Sequence, residues 1–352
     1  MEELAKHLLA MMAGPLVPRP GNFTPPDRTP WGGRLIPKMK GIAAGSDIVG
    51  ESWEISGHPS FPNTFQIAHA GKNTVVPLGV FGDLYPSALY GGSHTSMPFL
   101  VKLLNSESNL SVQVHPPAGY KPNVPSKTEA WYVIDAEPGA GCYIGMKKGV
   151  TRKMMREALA KGRDIVGFLN FVEFKPGETY YIPAGTPHAI GAGLLLVEPQ
   201  ETSETTYRYY DYGRVDDRGN KRQLHIEDAL AATDWNAPRG EEFVDGIRRK
   251  PISMNSCAGG KALEEQLIKE QAFEFYRITF KGGDSYCGDS SSGIQGMMVV
   301  EGSVSIYSKN GVELEAFGTG QSFIVPAAMG RYVLVAEGDK TVVLNTTSGR
   351  RL

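Results

Sequence analysis

Residues 176–188 read PGETYYIPAGTPH, and residues 319–331 read TGQSFIVPAAMGR. The two segments align on Pro183 and Pro326: a glycine, a polar pair, a short run of β-forming residues, Pro-Ala, then a small turn. This is the pattern of a strand that enters a barrel and turns sharply, and its recurrence predicts two related β-barrels in one chain. The copies differ at the last position, where His188 is matched by Arg331. A histidine can offer a lone pair to a metal, whereas an arginine stays protonated and cannot. The first barrel is therefore read as the active one and the second as structural.

The rest of the chain fits around this repeat. From Trp31 to about residue 225, runs such as FLVKLL, AWYVID, TYYIPA and GLLLVEP alternate with Gly, Pro, Asn and Ser turns, the rhythm of a barrel or sandwich. Helical pattern is clearest over 151–162, with Thr151 as N-cap, and over 226–233. The first residues, MEELAKHLLAMMAG, read as a short amphipathic helix. Residues 15–30 hold five prolines beyond Pro15 and predict an extended arm over the body. Residues 236–250 are charged and read as a linker, after which strand pattern resumes from about Phe273 to Thr346. The expected organisation is a helix and arm over 1–30, a catalytic domain with helical segments over 31–250, and a smaller β-domain without metal ligands over 251–352.

Composition narrows the function. Lys plus Arg number 36 against 38 Asp plus Glu, so a net charge of −2 gives no long-range pull toward nucleic acid or an anionic membrane. Any anionic ligand must meet a local cluster of cations. Cys142, Cys257 and Cys287 are odd in number and lack CxxC spacing, which argues against both a disulfide framework and a thiolate metal site. With no cationic leader and no apolar stretch of membrane-spanning length, the expected compartment is the cytoplasm.

The chemistry starts at SVQVHPP, residues 111–117. In a strand Ser111, Gln113 and His115 share one face while Val112 and Val114 share the other. The polar face is either solvated or the wall of a site. Glu129 heads the apolar strand in SKTEAWYVID, and His188 follows the turn of the repeat. Gln113, His115, Glu129 and His188 together supply two imidazoles and two oxygen ligands, a set that suits zinc or another borderline divalent ion with a position left for water or substrate. His7, His69, His94 and His225 are read as surface or satisfied core residues. If ETSETTYRYYDYGR, residues 201–214, is extended, Glu204, Thr206 and Arg208 share a face; the competing reading is a solvated strand. Lys102 and Lys127 flank the proposed ligands, and with Ser111 and Arg208 they suit a phosphorylated, polyhydroxylated substrate.

The ordered set WGG at 31–33, GESWEISGHP at 50–59, PFLVKLLNSESNLSVQVHP at 98–116, SKTEAWYV at 126–133, PGETYYIPAGTPHAIGAG at 176–193 and the block from ETSETTYRYYDYGR to QLHIEDAL resembles the type I mannose-6-phosphate isomerases in their short bacterial form. The resemblance implies two cupin-type jelly-roll barrels, mainly β with a few peripheral helices, and one zinc ion per chain. It also implies interconversion of mannose 6-phosphate and fructose 6-phosphate by proton transfer through an enediol. The partner is then a small sugar phosphate, not nucleic acid or membrane, and the oligomeric state stays open. Carried over by position, the metal ligands fall on Gln113, His115, Glu129 and His188. Arg208, Lys127, Glu204 and Lys102 fall in catalytic positions, and Ser111, Lys127 and Arg208 at the substrate. Glu204 stands where members commonly have aspartate, and the proton carrier stays open among Lys127, Lys102 and Glu204. Two other readings compete: a non-catalytic sugar-phosphate binder, and a metal cupin oxygenase using two histidines and a carboxylate on iron.

Overall fold

The computed structural model describes residues 2–42, 48–69, 71–92, 94–215, 218–254 and 260–349. Two antiparallel sheets form the first body. One has six strands in the order Glu51–Ile55, Leu100–Ser106, Leu194–Gln200, Glu129–Ala136, Thr179–Ile182 and Arg248–Arg249. The other has five, in the order Tyr207–Tyr210, Val112–Val114, His188–Ile190, Gly141–Met146 and Leu169–Glu173. Between them Trp131, Val133, Leu194 and Leu196 of the first sheet meet Cys142, Ile144, Val172 and Ile190 of the second. Period-two alternation sends the intervening Tyr132, Leu195 and Val197 to the opposite face, where they pack toward the second body. The mainly-β, cupin-like architecture expected from the sequence is the one observed.

The second body is one eight-stranded sheet built on two long strands, Gln295–Ser308 and Arg331–Ser348. It encloses its own core of Ile278, Phe280, Met297, Val299, Phe317, Phe323 and Val343. The internal repeat has a structural counterpart here. Thr179–Ile182 and Ser322–Val325 occupy matching places, and each carries a stacked aromatic pair at the same sequence offset: Phe174 on Tyr180, with ring centroids 4.0 Å apart, and Phe317 on Phe323, 3.9 Å apart. The two bodies meet across a shared core in which Phe273, Phe275 and Leu344 join Val101, Tyr132 and Val197.

Outside the sheets, Arg152–Ala160 is a helix whose first turn is capped by Thr151, its Oγ1 accepting from the Met154 N–H at 3.2 Å. Ile226–Ala232 is also helical, as read. The N-terminal helix spans Glu2–Met11 and buries Leu8. The proline-rich arm that follows lies over both bodies, bridging Leu16 to Ile324 and Phe23 to Ser52. None of the described helices is long and apolar enough to cross a membrane. Cys142 is a buried free thiol, and Cys257 falls outside the described residues.

Two expectations need correction. Residues 236–250 are not a linker: Glu241–Ile247 is a helix that buries Phe243 and Ile247 in the first core, and Arg248–Arg249 adds an edge strand beside Thr179–Ile182. The charges of this stretch lie outward while its apolar residues recur at helical spacing. Residues 201–214 are not one extended strand either. Only Tyr207–Tyr210 pairs, so Glu204 sits in irregular chain before it and the shared face with Arg208 does not form.

Candidate metal centre and its cleft

Strand pairing assembles the site. His188 lies opposite Gln113, and Gln113 lies opposite Arg208 on its other side. Val112 and Val114 point backward into an apolar layer with Tyr209, Leu230 and Met155. Glu129 enters from the facing sheet, in the inward row continued by Trp131 and Val133. His115, Glu129 and His188 are all buried, and one ligand atom from each lies within 4.8 Å of the others. His115 Nε2 is 3.2 Å from Glu129 Oε2, and His188 Nε2 is 3.4 Å from Glu129 Oε1. The Gln113 amide closes a further side, its Nε2 3.4 Å from His188 Nε2.

The histidines are set for ligation. His115 Nδ1 is 2.8 Å from the Thr205 carbonyl and His188 Nδ1 is 2.9 Å from the Thr186 carbonyl. A carbonyl only accepts, so each ring proton sits on Nδ1 and each Nε2 lone pair faces Glu129. Burial, together with the Lys127 charge, pulls the His115 pKa down to about 4, and burial lowers that of His188. Both rings are thus neutral at neutral pH. Burial alone would raise the Glu129 carboxyl, but the Lys127 charge outweighs it and holds the carboxyl well below the ordinary carboxylate range. The Lys127 ammonium donates to Glu129 Oε2 at 2.7 Å and lies 3.1 Å from His115 Nε2, a cation resting on the very atoms that would bind one. The donor set therefore fits a divalent metal ion.

Above the ligands opens a cleft lined by Arg28, Lys102, Lys127, Arg208 and Arg222 against Glu51, Glu198 and Glu204, with Ser111 and Gln113 on its wall. Arg222 is bound by Asp211 at 2.6 and 2.8 Å, and Arg28 pairs with Glu204 at 2.5 Å. Arg208 has no such partner among the described residues. Its Nε is buried without a hydrogen bond, and burial with the Arg222 charge lowers its pKa. An orphaned, partly desolvated guanidinium favours an incoming anion.

The structure brings Gln113, His115, Glu129, His188, Lys127, Ser111 and Arg208 together. Lys102 is near, over the Trp53 ring and 3.6 Å from Glu51. Glu204 lines the outer cleft, engaged by Arg28 and by Ser60 Oγ at 2.8 Å, away from the ligands. His225 accepts from the Arg208 backbone N–H at 3.2 Å, a supporting contact. Sequence reading missed Glu198. It sits in GLLLVEPQ at the mouth end of the inward row of Leu194 and Leu196, where period two could have found it. Its Oε2 accepts from Trp131 Nε1 at 2.8 Å, and its Oε1 lies 3.8 Å from Lys102 and 3.9 Å from Lys127. Burial, helped by the Glu129 charge, pushes its pKa up to about 7 against the pull of the two lysines. Arg28 carries no local signal either, since only the path of the arm brings it to the cleft.

Fold and site together define a two-body β protein with a buried histidine–carboxylate group that fits a metal ion, under a cationic cleft. No family model matches the chain. It is 30% identical over 308 residues to the probable mannose-6-phosphate isomerase GmuF of Bacillus subtilis, covering 86% of this chain and 92% of that protein. It is 40% identical over 206 residues to the mannose-6-phosphate isomerase of Streptococcus mutans, covering 57% of this chain and 63% of that one. The crystal structure of the mannose 6-phosphate isomerase from Bacillus subtilis superposes with a TM-score of 0.78 at 26% identity, over 94% of this chain and 99% of that one. The chain belongs to the mannose-6-phosphate isomerase family.

Proposed function

We propose that this protein interconverts mannose 6-phosphate and fructose 6-phosphate in the cytoplasm. The observation that carries the reading is the convergence of two neutral imidazoles and one carboxylate at the floor of a cleft with excess positive charge. Gln113, His115, Glu129 and His188 would hold one zinc ion per chain, which when bound supplies a Lewis acid for the sugar oxygens about C1 and C2. The assignment is to the domain of residues 31–250, with Arg28 reaching in from the arm. Residues 251–352 form the second domain.

Isomerisation moves a proton between C2 and C1 while O1 and O2 exchange carbonyl and hydroxyl character. Arg208 and Ser111 bind the phosphate or the developing enediolate, and Arg208 is suited to this because its charge is fixed and has no ion-pair partner among the described residues. Lys127, kept cationic because Glu129 and Glu198 outweigh its burial, stabilises negative charge on the sugar oxygens rather than acting as a base. Glu198 is the better proton carrier, since a carboxyl poised near neutrality can both take and return a proton. Lys102 steadies it from the side. Glu204 holds Arg28 across the outer cleft. The test is direct turnover of mannose 6-phosphate to fructose 6-phosphate by the zinc-loaded protein. Binding without turnover would support the sugar-phosphate binder instead, and oxygen uptake with bound iron would support the oxygenase.

A further inference from the structure

In the second barrel Arg331 stands where the first has His188. Arg331 is indeed exposed, 3.6 Å from Asp289 on the rim. The mouth behind it, however, is built like that of the first barrel. Gln295 pairs with Val325 as Glu129 pairs with Ile182, so Gln295 occupies the place of the carboxylate ligand. Each inward row is apolar at depth and turns polar toward one end: Phe280 and Ile278 lead to Tyr276 and Glu274, Val343 leads to Asn345 and Thr347, and Met297 leads to Gln295. A barrel that only supports its neighbour has no need to end three rows in this way, because buried polar groups cost stability unless paired.

These polar ends line an open cavity of about 560 Å³, within the roughly 300–1,000 Å³ of small-molecule sites. Part of the wall is fixed. Gln295 Oε1 accepts from the Tyr332 hydroxyl at 2.5 Å, its Nε2 donates to the Asp289 carbonyl at 2.9 Å, and the Tyr286 hydroxyl donates to Glu264 at 2.8 Å. The Tyr276 hydroxyl bonds Glu274. Asn345 is different: it is 3% exposed, lies on the cavity wall, and its Oδ1 has no hydrogen-bond partner among the described residues. A buried acceptor left open beside a cavity would be satisfied by a hydroxyl or water donor placed there. No Lys, Arg or His lines the cavity among the described residues, and Glu264 and Glu274 would repel a phosphate. Carboxylates and an amide accept from hydroxyls, and tyrosine rings offer apolar faces to a sugar's C–H groups.

We propose that the mouth of the second barrel binds an unphosphorylated monosaccharide, distinct in charge from the ligand of the metal cleft. The proposal does not rest on the activity proposed above. The test is saturation-transfer NMR on the full chain with D-mannose, D-glucose and D-fructose as probes, and glucosamine as a cationic control. The expected result is saturable binding of at least one neutral sugar in the millimolar range. It should survive His188→Ala and weaken at least tenfold in Glu264→Ala and in Glu274→Gln, the second being near-isosteric in case the first perturbs folding. Absence of binding by all three sugars would overturn the proposal. So would loss of binding in His188→Ala, indifference to both glutamate variants, or binding of glucosamine alone.

Discussion

Replacing Glu129 by Gln in the metal-free protein removes a buried charge while keeping the side chain's size, and so isolates what the carboxylate does before any metal arrives. Glu129 is 1% exposed and Lys127 is 4% exposed, so the variant leaves an ammonium buried in the barrel, with Glu198 at 3.9 Å as its nearest remaining anion. Removing one partner of a buried pair costs about 3–5 kcal/mol. The Gln amide oxygen can still accept from Lys127, which places the expected loss near about 3 kcal/mol. All four tryptophans, Trp31, Trp53, Trp131 and Trp235, lie in the first body, so their fluorescence during urea unfolding reports on that body. The double variant Glu129→Gln, Lys127→Met removes both charges and should recover all but about 1 kcal/mol of the loss. The pH dependence follows from the depressed pKa of Glu129. Its contribution is complete above the unfolded carboxyl value of about 4.3 and is lost as pH falls through the lower folded value. The gap between wild type and variant should therefore be constant at neutral pH and close in acid. A single-variant loss under about 1 kcal/mol, or a double variant as unstable as the sum of its parts, would refute the claim that these charges are mutually compensated.

Other outcomes follow from the same geometry. Glu198→Gln should abolish the acidic limb of the kcat/KM profile, which in wild type lies near or below pH 7 because activity requires the ionised carboxylate; an unchanged limb would remove Glu198 as proton carrier. Phe243→Ala should destabilise the first body by about 3 kcal/mol, whereas a residue in a true linker would change it by less than about 0.5 kcal/mol. Lys40 Nζ binds both carboxylate oxygens of buried Glu54, at 2.9 and 2.8 Å, and Ser322 of the second body donates to Glu54 at 2.7 Å. Lys40→Met should accordingly speed hydrogen exchange in Ser322–Val325, and unaltered exchange there would show that this pair does not couple the two bodies.

Much of this architecture is written in local sequence pattern. The paired segments ending in Pro183 and Pro326 carry strand, turn and even the stacked aromatics, because each feature repeats within a short window. Gln113 and His115 are legible as one face of a strand, since alternation is a property of the backbone. Helix Glu241–Ile247 was hidden because Glu241, Glu242 and Asp245 dominate a short stretch whose two buried residues are decisive. Glu198 was hidden for the opposite reason, as one charge within a strongly apolar strand whose neighbours Lys102 and Lys127 arrive from distant segments. Arg28 reaches the cleft only through the path of the arm, which no periodicity announces. The polar mouth of the second barrel likewise emerges only when strand register sets Gln295, Asn345 and Glu274 around one cavity.

The most direct test of the account is metal content measured alongside conversion of mannose 6-phosphate to fructose 6-phosphate, before chelation, after chelation and after zinc is returned. The account predicts about one zinc per chain, turnover lost with the metal and restored with it, and neither zinc binding nor turnover in His188→Ala. Full turnover by metal-free protein would contradict it.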